Sequence, residues 1–294
     1  MFFNQFRVTG FVDFAIRKRY NIDEAVAFGL STSFASSGGS VRYVQGFGPK
    51  VHTNRRIGSA YVGMGFSRLH SGFGDGGQGG WSGSLNVGAN LNSIRYLVDP
   101  RTGHSLGLGL SLSGVEKDSG GFGATFSAGS RGNLTIPMGL RNVLVLVGGV
   151  GVSVHPVLDA DRQALGGRFL LRAFEPDELL GDGRAYAVAE HRYTLLTDQA
   201  WNALHLAWIR ELQVAAFAGG GLVFNDVRTG SLSSAAEAGL GVRFQFEYGG
   251  LQPGVLSLDL AFPLYRQHPY VYNNGDIVRQ RQPVGFYLSF DQFF

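Results

Sequence analysis

"HSLGLGLSLSG", residues 104–114, alternates without a break. Leu106, Leu108, Leu110 and Leu112 fall on one side, and Ser105, Gly107, Gly109, Ser111 and Ser113 on the other. Successive side chains of a strand point to opposite faces, whereas a helix would spread both sets around its circumference. The stretch therefore reads as a strand with one apolar face and one face of small residues. "SAAEAGLGVRFQFEY", residues 234–248, repeats the pattern with Ala238, Leu240, Val242, Phe244, Phe246 and Tyr248 against Glu237, Gly239, Gly241, Arg243, Gln245 and Glu247.

Extending this reading along the chain predicts about twelve strands. They lie near 4–17, 23–36, 55–69, 81–95, 103–116, 121–137, 141–155, 184–196, 204–224, 234–249, 254–265 and 283–294. Most exceed the roughly 9–11 residues with which a tilted strand crosses a bilayer. "SSGGS", "HSGFGDGGQGG", "LVDPRTG", "EKDSGG", "NDVRTGS" and "QHPYVYNNGD" read as turns or loops between them. No linker interrupts the pattern, so residues 1–294 are expected to form one domain. Residues 155–183 are the one long segment without regular alternation.

The faces decide between two all-β architectures. A soluble sandwich would turn its apolar face to a core and carry many Lys and Glu outside. Here the second face is mostly Gly, Ser, Ala, Thr and Asn. An antiparallel transmembrane β-barrel puts the apolar face to lipid and the small polar face to its lumen, and closure satisfies every backbone group. Twelve strands is an even number, as in bacterial barrels.

Composition agrees. Glycine is 45 of 294 residues and charged residues are only 16%, an unusual pair for a soluble domain. No run of about 18 apolar residues offers a transmembrane helix. The absence of cysteine excludes disulfides, thiolate metal sites and cysteine nucleophiles. The basic residues are nearly all arginines, scattered rather than clustered, which is not a nucleic-acid profile. The opening residues lack the charged-apolar-small order of a signal peptide. "GFYLSFDQFF" ends the chain with Phe286, Leu288, Phe290 and Phe294 on one face. Trp81, Trp201 and Trp208, near strand ends, fit interfacial aromatic girdles.

"LGGRFLLRAFEPDELLGDGRAYAVAEHRY", residues 165–193, places charges where the chain otherwise spares them. In its strand, Ala185, Ala187, Ala189, His191, Tyr193 and Leu195 are expected to face lipid. Arg184, Tyr186, Val188, Glu190 and Arg192 then face inward. Arg172, flanked by Leu171 and Phe174, suits a loop folded back into the barrel, its guanidinium pairing with Glu190 by charge-assisted hydrogen bonds. A solvated external loop with unrelated charges is the alternative.

These residues resemble the signature of the outer-membrane assembly-barrel superfamily, the BamA/TamA/two-partner-secretion transporter-like bacterial surface antigen barrels. The resemblance covers roughly residues 120–294 and extends to the first hundred only by pattern. In that family a double glycine precedes an apolar-Arg-Gly-aromatic tetrad on a loop folded into the lumen. The tetrad arginine meets acids on the next two strands. Here the tetrad is Leu171, Arg172, Ala173 and Phe174, and Glu190, His191 and Arg192 end the following strand. "GGLQPGVLSLDLAFPL" is similar to the family's penultimate strand, with Asp259 facing in. The chain departs from the pattern at Ala173, where glycine is usual, and at Gly219, where an acid is usual. Arg172 is thus expected to keep only Glu190 of its two partners. The strand count is lower than the family's sixteen and the family's POTRA repeats are not seen, which fits either a natural short form or a truncation; because twelve is even and could close, a complete short barrel is the expectation.

The resemblance implies a bacterial outer-membrane barrel related to protein insertion and translocation, with a lumenal loop clasp. Supporting lumenal charges are expected from Glu237, Arg243, Glu247 and Asp259. A seam between first and last strands is expected to open at Gly10, Gly285 and Phe294. An anchor or accessory barrel without transport, or a simple pore, is the alternative. Expected partners are outer-membrane lipid and lipopolysaccharide, with client outer-membrane proteins or an accessory periplasmic protein, and no nucleic acid. "GDGGQG", residues 74–79, matches G-x-G-x-x-G but opens no helix, so no dinucleotide is expected. Seven dispersed histidines suggest no metal site. No G-x-S-x-G elbow exists and no serine is distinguished beside His104 or His191. Neither a cofactor nor enzymatic activity is expected.

Overall fold

The alternating segments form long strands in a computed structural model. It describes residues 8–12, 24–32, 36–52, 55–69, 79–94, 101–157, 161–176, 178–197, 199, 201–203, 207–226, 231–248, 252–266, 270–273, 276–281 and 283–292. The elements are β1 (Val8–Val12), β2 (Glu24–Thr32), β3 (Ser36–His52), β4 (Arg55–Leu69), β5 (Gly80–Asn92), β6 (Gly103–Lys117), β7 (Phe122–Pro137), β8 (Asn142–Val154), β9 (Gln163–Leu165), β10 (Leu179–Gly181), β11 (Gly183–Leu196), β12 (Trp201–Ala203), β13 (Ala207–Asp226), β14 (Ser231–Tyr248), β15 (Gln252–Arg266), β16 (Tyr270–Asn273), β17 (Asp276–Gln280) and β18 (Gly285–Gln292). The main sheet runs β1-β2-β3-β4-β5-β6-β7-β8-β11-β13-β14-β15-β18, with β12 beside β13. Pairs β9–β10 and β16–β17 form two small separate ladders.

Among the described residues the sheet path holds one strand more than the sequence pattern suggests, because "SSGGS" is not a turn. Residues 36–40 open β3 and pair with β4 from Ser36↔Leu69 to Ser40↔Gly65. A Cβ at Gly38 would collide with the Phe66 carbonyl and the Ser67 side chain. Glycine there makes room for a neighbouring strand rather than for a bend. "QHPYVYNNGD" likewise holds strand, since Tyr270–Asn273 pairs with Asp276–Gln280. The first predicted strand is described only over Val8–Val12, where Gly10 pairs with Leu30. Phe294 and all of "GDGGQG" except Gly79 lie outside the described residues.

The chain divides into two compact units. The first comprises Met1–Ser93, Ser105–Arg131 and Gly151–Gln163. Val62, Met64, Phe66, Leu85, Val87 and Leu106 to Leu112 at alternate positions are exposed, Leu108 by 52%. Leucines in register, such as Leu85↔Leu112, form a continuous apolar face. A patch of this kind on an antiparallel sheet is a lipid-facing surface. The opposite face carries Ser82, Ser84, Asn86, Asn90, Ser105 and Ser111, which remain accessible to solvent. Near the strand ends, Phe66 stacks on Trp81 with ring centroids 5.1 Å apart. Arg68 lies 5.1 Å from the Trp81 ring and grips Asp118 with two hydrogen bonds of 2.7 and 2.6 Å. Those bonds hold the exposed Asp118 carboxyl below its usual range.

The second unit comprises Ile94–His104, Gly132–Val150 and Ala164–Phe294. Its faces are more polarised. Leu240 is 62% exposed and Leu260, Phe262, Leu264, Phe286 and Leu288 are also exposed, while Glu190, Gln213, Glu237, Arg243, Ser257, Asp259 and Ser289 are buried. Charges inside and leucines outside invert the order of a water-soluble protein. Leu165, Leu171, Ala173, Phe174 and Leu179 form an apolar cluster with Tyr186, Val188, Phe217, Val223, Ala235 and Ala261. Residues 164–176 and 178–182 thus cover the polar face of this unit and bury Leu165, Leu171, Phe174 and Leu179 there, while Phe169 stays exposed.

Candidate functional site

The double glycine shapes the segment. Gly166 has φ +138° and Gly167 φ +86°, both in the left-handed region that side chains resist. A Cβ on Gly166 would also strike the Glu175 carbonyl. The turn folds the chain back so that Gly167 N–H donates to Phe174 O at 2.9 Å and Leu170 N–H to Gly167 O at 3.1 Å. The compact turn carries Leu171 and Phe174 into the apolar cluster and leaves Arg172 between them, aimed at the sheet.

The register of the strands builds what lies beneath. Glu190 pairs with Phe217, Phe217 with Gly239, Gly239 with Ala261 and Ala261 with Gly285. These five residues form one row across β11, β13, β14, β15 and β18. The next row is Arg192, Ala215, Gly241, Asp259 and Tyr287. On the other side lie Val188, Gly219, Glu237 and Pro263. Small residues at Gly239, Ala261 and Gly285 make the middle row a trough, and charged residues stand on either side.

Arg172 lies along this trough. Its Nη2 donates to Glu190 Oε2 at 2.6 Å, its Nη1 pairs with Asp259 Oδ2 at 3.3 Å, and its guanidinium sits 4.2 Å from the Phe217 ring centroid. Glu190 is 3% exposed. Its Oε1 accepts from Arg192 Nε at 2.6 Å and faces Arg243 Nη2 at 3.0 Å. Arg243 also reaches Asp259 Oδ1 at 3.4 Å. Three guanidinium groups and two carboxylates thus form one connected buried network, of the kind held together by charge-assisted bonds.

The backbone of the tetrad is held as well. Ala173 N–H donates to Glu237 Oε2 at 2.5 Å, Arg266 Nη2 donates to Ala173 O at 3.2 Å, and the Tyr287 hydroxyl donates to Phe174 O at 3.2 Å. A Cβ at Gly285 would overlap the Arg172 carbonyl, so glycine at that position is what lets the loop lie down. Farther along, Glu178 Oε1 is flanked by Arg266 Nε at 3.1 Å and Arg281 Nε at 3.3 Å.

Arg172, Glu190, Arg192, Arg243 and Asp259 therefore meet, and Glu237 touches the same loop through its main chain. Glu247 does not join them; it pairs with Arg210 at 2.6 Å. The expectation that Arg172 has one acidic partner is corrected, because Asp259 supplies a second. At Gly219 a side chain would meet Val188, and its register partner Glu237 brings an acid to the same region, where it accepts the Ala173 N–H. Sequence reading missed Phe217, Arg266, Arg281 and Tyr287, and it read Gly285 as a weak strand end rather than a loop seat. Aligning the strands row by row would have placed Phe217 and Tyr287.

No family model matches the chain, and no curated protein sequence does. Among solved structures, CdiB from Escherichia coli is similar at 13% identity and a TM-score of 0.51, over 90% of this chain and 56% of its own. BamA from Haemophilus ducreyi lacking POTRA domains 1-3 is similar at 12% identity and a TM-score of 0.48, over 92% of this chain and 64% of its own. The chain spans less than two thirds of the length of either. The likeness to CdiB shows a shared fold, an antiparallel transmembrane β-barrel.

Proposed function

We propose that the chain is a bacterial outer-membrane barrel that inserts or translocates other protein chains. In this reading the small-residue face lines a barrel lumen and residues 164–182 are a lumenal clasp. The reading includes the seam expected at Gly10 and Gly285, on the first and last strands of the sheet path. The partners are outer-membrane lipid, lipopolysaccharide and client outer-membrane proteins or an accessory periplasmic protein. The observation that carries the reading is the Arg172 guanidinium seated on Glu190 and Asp259. So costly a buried network on a loop, in a chain with few charges, favours a device that holds and releases the loop over a passive surface.

The test is depletion in the source bacterium, followed by complementation with wild type or Arg172→Ala. The reading expects folded outer-membrane proteins or one exported protein to fall on depletion and to recover only with wild type. Unchanged levels of all of them would overturn it. A simple pore is the second reading, favoured by the neutral and solvent-accessible Ser/Asn/Gly face of the first unit. Under it, purified protein conducts ions steadily and depletion alters solute uptake alone.

A further inference from the structure

Each unit carries on its polar face a guanidinium stacked on an aromatic ring that lies over glycine. In the second unit a Cβ at Gly239 would strike the Phe217 ring, and the Arg172 guanidinium sits 4.2 Å from that ring's centroid. In the first unit a Cβ at Gly88 would strike the ring and hydroxyl of Tyr61, which reaches on toward Gly109. The Arg42 guanidinium sits 4.7 Å from the Tyr61 centroid. A ring beneath a guanidinium fixes its plane and leaves its N–H edge free to bind. In the second unit that edge meets two carboxylates, Glu190 and Asp259. In the first unit Arg42 is exposed, and no carboxylate among the described residues reaches it. The register supplies its surroundings. Arg42 shares a row with Gly63, Asn86 and Ser111 across β3, β4, β5 and β6, and residues directly opposite on neighbouring strands share a face.

We propose that Arg42, seated on Tyr61, binds the carboxylate of a hydroxylated acid of the sugar-acid class, with Asn86 and Ser111 taking its hydroxyls. The ligand class follows from the chemistry. The equivalent stack in the second unit meets carboxylates, and the planar edge of a guanidinium matches the two oxygens of a carboxylate. One cation among neutral groups suits a single negative charge better than a phosphate. Amide and hydroxyl side chains both donate and accept, as sugar hydroxyls do. An acidic peptide would bring the carboxylate but no hydroxyls for the row. Gly63 and Gly88 keep the floor low, so a ring-shaped ligand can approach the sheet beside Tyr61. A free sugar acid and an acidic sugar unit within a polysaccharide offer the same carboxylate and hydroxyls. The site is independent of the function proposed above, since protein insertion calls for no sugar acid.

The experiment uses the full chain, purified and folded in a zwitterionic detergent, with folding checked by faster migration when unboiled on a denaturing gel. The probe is sodium glucuronate, titrated and read by saturation-transfer NMR. Wild type should bind it in the millimolar range. Glucose, which lacks the carboxylate, and acetate, which lacks the hydroxyls, should each bind about tenfold more weakly or less. Arg42→Gln removes the charge, and Arg42→Lys keeps it without the planar edge; each should weaken glucuronate binding about tenfold. Whichever of the two folds decides this arm. Tyr61→Leu unseats the guanidinium and should weaken binding about threefold. Arg141→Gln, at an exposed arginine in the turn before β8, should change nothing. A glucuronate trimer that binds more tightly than the monomer assigns the site to a polysaccharide, and equal binding assigns it to the free acid; either result keeps the proposal. Absence of binding by wild type overturns it, as does undiminished binding in the Arg42 variants. An equal loss in Arg141→Gln also overturns it, because the attraction is then merely general. So does a triglutamate peptide that binds as tightly as glucuronate, because the ligand is then a polypeptide.

Discussion

Replacing Glu190 by alanine tests the charge network at its centre. Glu190 holds three guanidinium groups: Arg172 at 2.6 Å, Arg192 at 2.6 Å and Arg243 at 3.0 Å. Without it, Arg172 and Arg243 must share Asp259, at 3.3 and 3.4 Å, while Arg192 loses its 2.6 Å partner. Breaking a buried pair typically costs about 3–5 kcal/mol, because the remaining charge is stranded. Arg172 and Arg192 side chains are 16% and 20% exposed, so water reaches two of the three cations. The low end, about 3 kcal/mol, is therefore expected. The assay is the folded fraction against urea in lipid vesicles, read by gel mobility without boiling. The Arg172→Ala and Glu190→Ala double-mutant cycle should give a coupling of at least about 1 kcal/mol. Planar-bilayer conductance of Glu190→Ala should rise as the loop loosens. An unchanged urea midpoint with zero coupling would refute the argument that these charges hold the loop.

Three further outcomes follow from other parts of the chain. Gly285→Ala should leave the barrel folded yet expose residues 168–175 to protease, because its Cβ displaces the Arg172 carbonyl. Leu110→Arg, on the exposed apolar face, should destabilise the folded barrel by about 2–4 kcal/mol if the residue is near the bilayer midplane, whereas Ser111→Arg on the opposite face should be tolerated in the same urea assay. Asp118 has a depressed carboxyl pKa set by the Arg68 hydrogen bonds. Its contact should be complete above the ordinary carboxylate range and lost as pH falls through the depressed value. Trp81 fluorescence should report the loss, since Arg68 stands over that ring, and Asp118→Asn should remove this acid transition.

The alternation at 104–114 made the sheet and its lipid-facing side legible, because lipid imposes one simple demand on every second residue. The demand of the other face was harder to read. A glycine there can mark crowding between strands instead of a turn, as Gly38 does, which hid the start of β3 at Ser36–Ser40. The pairing of Arg172 with Glu190 was legible because the chain places so few charges. Asp259 as its second partner, and the row from Glu190 to Gly285, depend on the register of five strands, and register is not written in any one of them. Gly219 looked like a missing acid for the same reason, since the second acid on Arg172, Asp259, comes from β15.

The central claim is that the Arg172 loop lies against the charged face inside a membrane barrel. Its most direct test is solid-state NMR on the chain in lipid bilayers, measuring the through-space coupling between the Arg172 guanidinium nitrogens and the Glu190 carboxyl carbon. The account predicts a direct contact, retained in Asp259→Asn and absent in Glu190→Ala. A guanidinium signal with no carboxylate contact, showing the exchange of a group open to water, would contradict it.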